Sequence, residues 1–166
     1  MQRRAFLPWL AGMALSGCGF RLRGDLQFPF QTIALQPANG GAVLQDLQRA
    51  LSRSVQVLAP EAPLAQADLV FYMLQEAREK TVVGLNSSGQ VRELQLRLRV
   101  SFKLSQPSGT EVLPATDLVQ QRDISYNEAA ALAKESEEAL LYRDMQGDMV
   151  QQIMRRLASL RYATSR

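Results

Sequence analysis

Between Glu93 and Leu104 apolar and polar residues alternate without a break. Leu94, Leu96, Leu98, Val100, Phe102 and Leu104 are interleaved with Glu93, Gln95, Arg97, Arg99, Ser101 and Lys103. Successive side chains of an extended chain point to opposite faces, so six large apolar groups share one side and six polar groups the other. A slip of one residue would put all six apolar groups into water, so the register of this strand is firmly specified. Such a strand needs a second layer to cover its apolar face, which excludes an all-helical fold.

The flanking segments supply that layer. Thr32–Gln36 reads as a short strand ended by Pro37-Ala38-Asn39-Gly40-Gly41. Val43, Leu44, Leu47, Ala50 and Leu51 recur at helical spacing, with Asp46, Gln48 and Arg49 on the other side, which predicts a helix of about three turns. Val55–Leu58 is a short strand before the loop of Pro60 and Pro63. The unbroken apolar run Leu69–Leu74 predicts a strand buried on both faces, continuing through Glu76–Val83 as a more exposed edge. Residues 84–89 and 105–109 are turns by composition, and Thr110–Ser125 is a further strand interrupted at Pro114. Last comes a long helix with a stripe of Leu141, Met145, Met149, Ile153, Leu157 and Leu160. Glu135, Glu137 and Glu138 gather near its start and Arg155, Arg156 and Arg161 near its end, complementing the helix dipole. Its methionines read as core packing rather than a ligand box. The order predicts an α+β fold: a small mixed or antiparallel β-sheet with two helices packed on one face.

The N-terminus has a different logic. Arg3 and Arg4 precede an apolar stretch from Ala5 to Leu15, broken only by Pro8 and Gly12. A bilayer-spanning helix needs about 20 apolar residues, so this stretch is too short. A basic head, a short apolar middle and small residues at the end are the layout of a signal peptide. Its end, Leu15-Ser16-Gly17-Cys18, resembles the lipobox of bacterial lipoproteins. That resemblance implies a diacylglycerol on the Cys18 thiol, cleavage before Cys18, and a palmitoyl-type acyl chain on the new amine. The competing reading is a buried free thiol after a hydrophobic helix. Gly19, rather than an aspartate, follows the cysteine, which by resemblance to diderm lipoproteins favours the outer membrane. Arg3-Arg4-Ala5-Phe6-Leu7 is similar to a twin-arginine export motif, and an ordinary Sec route stands beside it. The expected organisation is a cleaved signal peptide over 1–17, a lipidated tether over 18–31 and one domain over 32–166.

Composition narrows the chemistry. The net charge of +3 falls to about +1 once Arg3 and Arg4 are removed, with no concentrated basic run to suggest nucleic-acid binding. The chain has no histidine and a single cysteine, which is consumed by lipidation. Histidine-assisted nucleophilic catalysis and the usual zinc ligand sets are therefore missing. No paired-carboxylate motif or glycine-rich phosphate loop stands out. The chain is expected to be no enzyme and to hold no cofactor and no metal. No second apolar run approaches spanning length, so the domain is expected to sit on a membrane rather than in it.

Four segments resemble the LptE family of lipopolysaccharide-assembly lipoproteins. They are Gly17-Cys18-Gly19-Phe20-Arg21-Leu22-Arg23, the Gly89-Gln90 turn into the long strand, Ala131-Leu132-Ala133-Lys134 opening the last helix, and its Arg155–Arg161 end with Leu157 and Leu160. The resemblance implies an outer-membrane lipoprotein inside the lumen of the β-barrel LptD, assisting its assembly and binding lipopolysaccharide. It implies basic contacts near the turn before the long strand and at the start of the last helix. Lys134 matches the second position. At the first the chain has Asn86-Ser87-Ser88, and Arg92 is the nearest basic candidate. Arg97, Arg99 and Lys103 complete the candidate set, since guanidinium and ammonium groups bind phosphate by charge-assisted hydrogen bonds. Their competing reading is an ordinary solvated strand face. The alternative function is an unrelated envelope lipoprotein that binds peptidoglycan or scaffolds a secretion machine.

Overall fold

The computed structural model describes residues 26–161. The signal peptide, Cys18 and the motif around it lie outside the described residues. Among the described residues five strands and two α-helices follow in order: β1 (Thr32–Gln36), α1 (Ala42–Leu51), β2 (Gln56–Val57), β3 (Leu69–Leu85), β4 (Val91–Ser105), β5 (Glu111–Ser125) and α2 (Ala131–Ala158). They build one open five-stranded sheet in the order β2-β1-β3-β4-β5. β1 runs parallel to both of its neighbours, and β3, β4 and β5 form an antiparallel meander. The fold is α+β with a mixed sheet and two helices.

β4 is the strand that the alternation demands. Leu96, Leu98, Val100, Phe102 and Leu104 are completely buried, and Leu94 packs at the margin of the same cluster. That cluster joins one face of the sheet to Val43, Leu44, Leu47 and Leu51 of α1 and to Met145, Met149, Ile153 and Leu157 of α2. Phe102 stacks on Phe71 with ring centroids 5.0 Å apart. The methionines are core, as their spacing implies. Among the described residues, the helix-free face is covered only at its β1 end. There Ala34, Ala67 and Val70 form a small second cluster with Leu58, Leu64 and Tyr72.

Three details depart from the sequence reading. Leu69, Val70 and Phe71 are fully buried, but Leu74 is 50% exposed. The pairing skips from Met73 to Gln75, so Leu74 is the extra residue of a bulge. β1 pairs with β3 only through Tyr72, and beyond it β3 is an edge, as its mixed composition suggests. The β3–β4 turn is shorter than expected, Asn86–Gln90, because β3 continues through Leu85. The Asn86 side-chain oxygen accepts from the amides of Ser88 (3.0 Å) and Gln90 (2.9 Å), and Gly89 takes the positive φ of 78°. Finally, the stretch expected to be tether is packed by its end: Phe30 is buried, and Leu26 and Phe28 rest against the core.

Pro114 does not end β5. Between Phe102↔Thr116 and Leu104↔Leu113 the register shifts, so Pro114 falls in a bulge on an edge strand. These are the positions where a missing N–H disturbs a sheet least.

Candidate functional site

The predicted basic residues divide between two places. Lys134 opens α2 three residues in, and the connection from β5 is only Tyr126–Ala130. Asn127 makes this turn tight by accepting from the Ala129 amide at 3.0 Å. The start of α2 is therefore held over the end of β5. Lys134 Nζ donates to Ser125 Oγ at 3.1 Å and to Glu137 Oε2 at 2.8 Å. Ser125 lies opposite Glu93 on β4, which in turn lies opposite Gly84 on β3. Arg92 is exposed, occupies the β4 position skipped between Val91 and Glu93, and its carbonyl accepts from the Tyr126 amide at 2.8 Å. Lys134 and Arg92, 42 positions apart in sequence, thus come to the same end of the sheet.

That end carries a feature absent from the sequence reading. Val82, Val83 and Leu85 of β3 are exposed there, Leu85 by 62%, and Leu132 beside Lys134 is exposed by 81%. The sequence reading takes Glu76–Val83 as a more exposed edge and residues 84–89 as a turn, but it does not gather their aliphatic side chains into one patch. The structure bears out that exposure and adds that β3 runs on through Leu85. The end therefore brings two basic side chains, one of them paired with Glu137, beside exposed aliphatic ones.

Arg97, Arg99 and Lys103 lie elsewhere, on the helix-free face. Pairing places Glu79, Arg97 and Gln121 in one row across that face, and Ala77, Arg99 and Val119 in the next. Glu79 sits between the two arginines, 3.6 Å from Arg97 Nη1 and 3.6 Å from Arg99 Nε. Arg97 Nη2 also donates to Gln95 Oε1 at 3.0 Å. Lys103 stands over the Tyr72 ring, 5.3 Å from its centroid. Lys103 is eleven residues along β4 from Arg92, roughly 35 Å at the strand rise. The five candidates therefore do not form one site. Glu79 was not foreseen, because nothing local in the sequence places it opposite Arg97.

The helical side of β3 holds a third polar group. Glu76, Arg78 and Lys80 point toward the helices, opposite Val100, Leu98 and Leu96 of β4. Glu76 caps α1: both carboxylate oxygens accept from the Val43 amide at 3.2 Å. The N-cap is Gly41, which has no side chain for the task, and a Cβ there would lie 2.5 Å from the Glu76 carboxyl. Lys80 donates to Glu138 at 2.9 Å, and this hydrogen bond raises the Lys80 pKa above its usual 10.5. The Arg78 guanidinium lies 5.1 Å from the Tyr142 ring. Burial first, then the charge of Glu138, raises the Tyr142 pKa above 10.0. These groups border an open cleft of about 390 Å³ between β3 and α2. Inward charges on an edge strand discourage sheet-to-sheet pairing, and here each has a partner on a helix. Among the described residues no acidic or sulfur cluster could hold a metal ion, and no helix is long and apolar enough to cross a membrane.

Comparison with known proteins places this architecture. The family model described as LptE, lipopolysaccharide-assembly, matches residues 30–157. The LPS-assembly lipoprotein LptE of Photorhabdus laumondii subsp. laumondii is 27% identical, covering 97% of this chain and 90% of its own. Its namesake from Pectobacterium atrosepticum is 28% identical over 91% of this chain and 82% of its own. Among solved structures, lipoprotein B from Nitrosomonas europaea superposes with a TM-score of 0.72 at 32% identity, covering 85% of this chain and 91% of its own. A minor lipoprotein from Acinetobacter baumannii shares the fold, with a TM-score of 0.64 at 22% identity over 84% of this chain and all of its own. With the family model spanning the sheet and both helices, the chain belongs to the LptE family of lipopolysaccharide-assembly proteins.

Proposed function

We propose that this protein is an outer-membrane lipoprotein that occupies the lumen of the β-barrel LptD, assists its assembly and binds lipopolysaccharide on its way to the outer leaflet. Acyl chains on Cys18 are its anchor. Each buried methylene contributes about 0.8 kcal/mol, so several chains hold the domain stably. The role is one of fitting and binding, without a chemical step.

The observation that carries this reading is the family match over 30–157, in a chain whose Lys134 and Arg92 converge on one end of the sheet. An ammonium and a guanidinium there suit the phosphates of lipopolysaccharide, and the exposed Val83, Leu85 and Leu132 suit its acyl portion. The test is recovery of the native lipidated protein from outer membrane and identification of what accompanies it. A large outer-membrane barrel is expected; its absence overturns the reading. Sedimentation with purified sacculi is expected to leave the protein in solution, whereas retention would support a peptidoglycan-binding role.

A further inference from the structure

Resting on the reading of Cys18 as a lipid anchor, we infer that the end of the domain where the chain enters it is a second contact with the membrane, one that takes the headgroups of anionic phospholipid. β1 and β3 start at that end, near Thr32 and Leu69, and β4 finishes there at Ser105. Both helices end there too. α1 begins beside Glu76 and runs back against β1, stopping at Leu51 shortly before Gln56 pairs with Thr32. α2 begins over Ser125, at the opposite end, and returns along the sheet for 28 residues, roughly 42 Å, packing on α1.

Four arginines stand at these helix ends. Arg53 follows α1, Arg155 and Arg156 lie in the last turn of α2, and Arg161 lies just beyond it; all four are exposed. None forms an ion pair with a described residue, whereas Lys80, Arg97, Arg99, Arg122 and Lys134 further along the sheet each face a carboxylate. Of the carboxylates at this end, Asp68 accepts from the Gln31 and Thr32 amides at 2.9 Å, and Glu111 opens β5. The end therefore carries uncompensated positive charge. It also holds an open cleft of about 910 Å³, lined by Leu26, Phe28, Ala50, Arg53 and Val55 together with glutamines and serines. Apolar and polar walls side by side suit the boundary between a headgroup and its acyl chains.

The anchor selects the occupant. Leu26, in the cleft wall, is eight residues from Cys18, at most about 29 Å of extended chain. This end is thus kept close to the leaflet that holds the acyl chains of Cys18. Lys134 and Arg92 lie the full length of β3 away, roughly 50 Å at the strand rise, so the two basic ends do not share one ligand. Each basic side chain close to an anionic surface raises partitioning roughly fivefold, and here four act together.

The test uses the full acylated chain, with the acyl groups on Cys18 checked by mass. It is reconstituted in vesicles of phosphatidylglycerol mixed with phosphatidylcholine, or of phosphatidylcholine alone. An arginine-selective dicarbonyl labels the protein, and each site is read from its peptide. Arg53, Arg155, Arg156 and Arg161 are expected to react roughly fivefold more slowly, or less, on the anionic vesicles, with Arg92 unchanged. About 1 M salt, where the Debye length is about 3 Å, should remove the difference. Equal rates on both vesicles in an acylated chain overturn this inference alone. So does equal protection by lipopolysaccharide added to the neutral vesicles, because the end would then be a second lipopolysaccharide site. A Cys18 without acyl groups defeats the anchor reading, and this inference with it.

Discussion

The Tyr142 hydroxyl donates a 2.7 Å hydrogen bond to the main-chain carbonyl of Glu79, 63 positions away in sequence. It ties α2 to β3 where β1 no longer flanks that strand. The same stretch of β3 presents Glu79 to the arginines on the helix-free face. Removing the hydroxyl with Tyr142→Phe is expected to cost about 0.5–1.5 kcal/mol, the net value of a typical intramolecular hydrogen bond. Thermal unfolding should show the change as a midpoint lowered by a few degrees. An unchanged midpoint would show that the tie contributes nothing.

The raised pKa values of Tyr142 and Lys80 set an alkaline limit. In both cases the folded state favours the protonated form. The stability they contribute is complete below their unfolded pKa values, 10.0 and 10.5, and is lost as pH rises through the folded ones. Urea midpoints measured from pH 8 to 11 should therefore fall more steeply for the wild type than for Tyr142→Phe combined with Lys80→Gln. Parallel curves would contradict this.

Gly41 and Glu76 should be energetically coupled. Gly41→Ala places a methyl 2.5 Å from the Glu76 carboxyl, which must swing away from the Val43 amide. The expected loss is about 1 kcal/mol, the usual value of a helix cap. In a Glu76→Ala background the same substitution should cost much less, since the cap is already gone. Chemical denaturation of the four proteins forms a double-mutant cycle, and strict additivity would refute the coupling.

The two faces of β4 should respond differently to truncation. Phe102→Ala removes a fully buried ring stacked on Phe71 and is expected to cost about 3–5 kcal/mol. Ser101→Ala, one residue earlier on the opposite face, should stay within about 0.5 kcal/mol. Equal effects would mean that the register is wrong.

For the lipid-binding end, Lys134→Ala with Arg92→Ala is expected to weaken lipopolysaccharide binding roughly tenfold or more, given about 1.5–3 kcal/mol for each hydrogen bond to a charged group. Glu137 now engages Lys134 at 2.8 Å and competes with any incoming phosphate. Glu137→Gln should therefore tighten binding. Equilibrium binding to purified lipopolysaccharide separates the outcomes, and a folded Lys134/Arg92 double variant that binds normally would remove both residues from the site.

Local pattern by itself determined a good deal of this protein. Alternation from Leu94 to Leu104 specified β4 and its buried face, and the stripe from Leu141 to Leu157 specified the packed side of α2. Both follow from periodicities of single elements, written in neighbouring residues. Tertiary structure decided the rest. That Leu74 is a bulge and that Glu79 falls between Arg97 and Arg99 both depend on how β3 pairs with β4. Separation of Lys134 and Arg92 from Arg97, Arg99 and Lys103 likewise rests on the β4–β5 register and the tight turn at Asn127. Register between strands is set by long-range packing and by bulges that shift it one residue at a time, and periodicity within one strand carries no record of either.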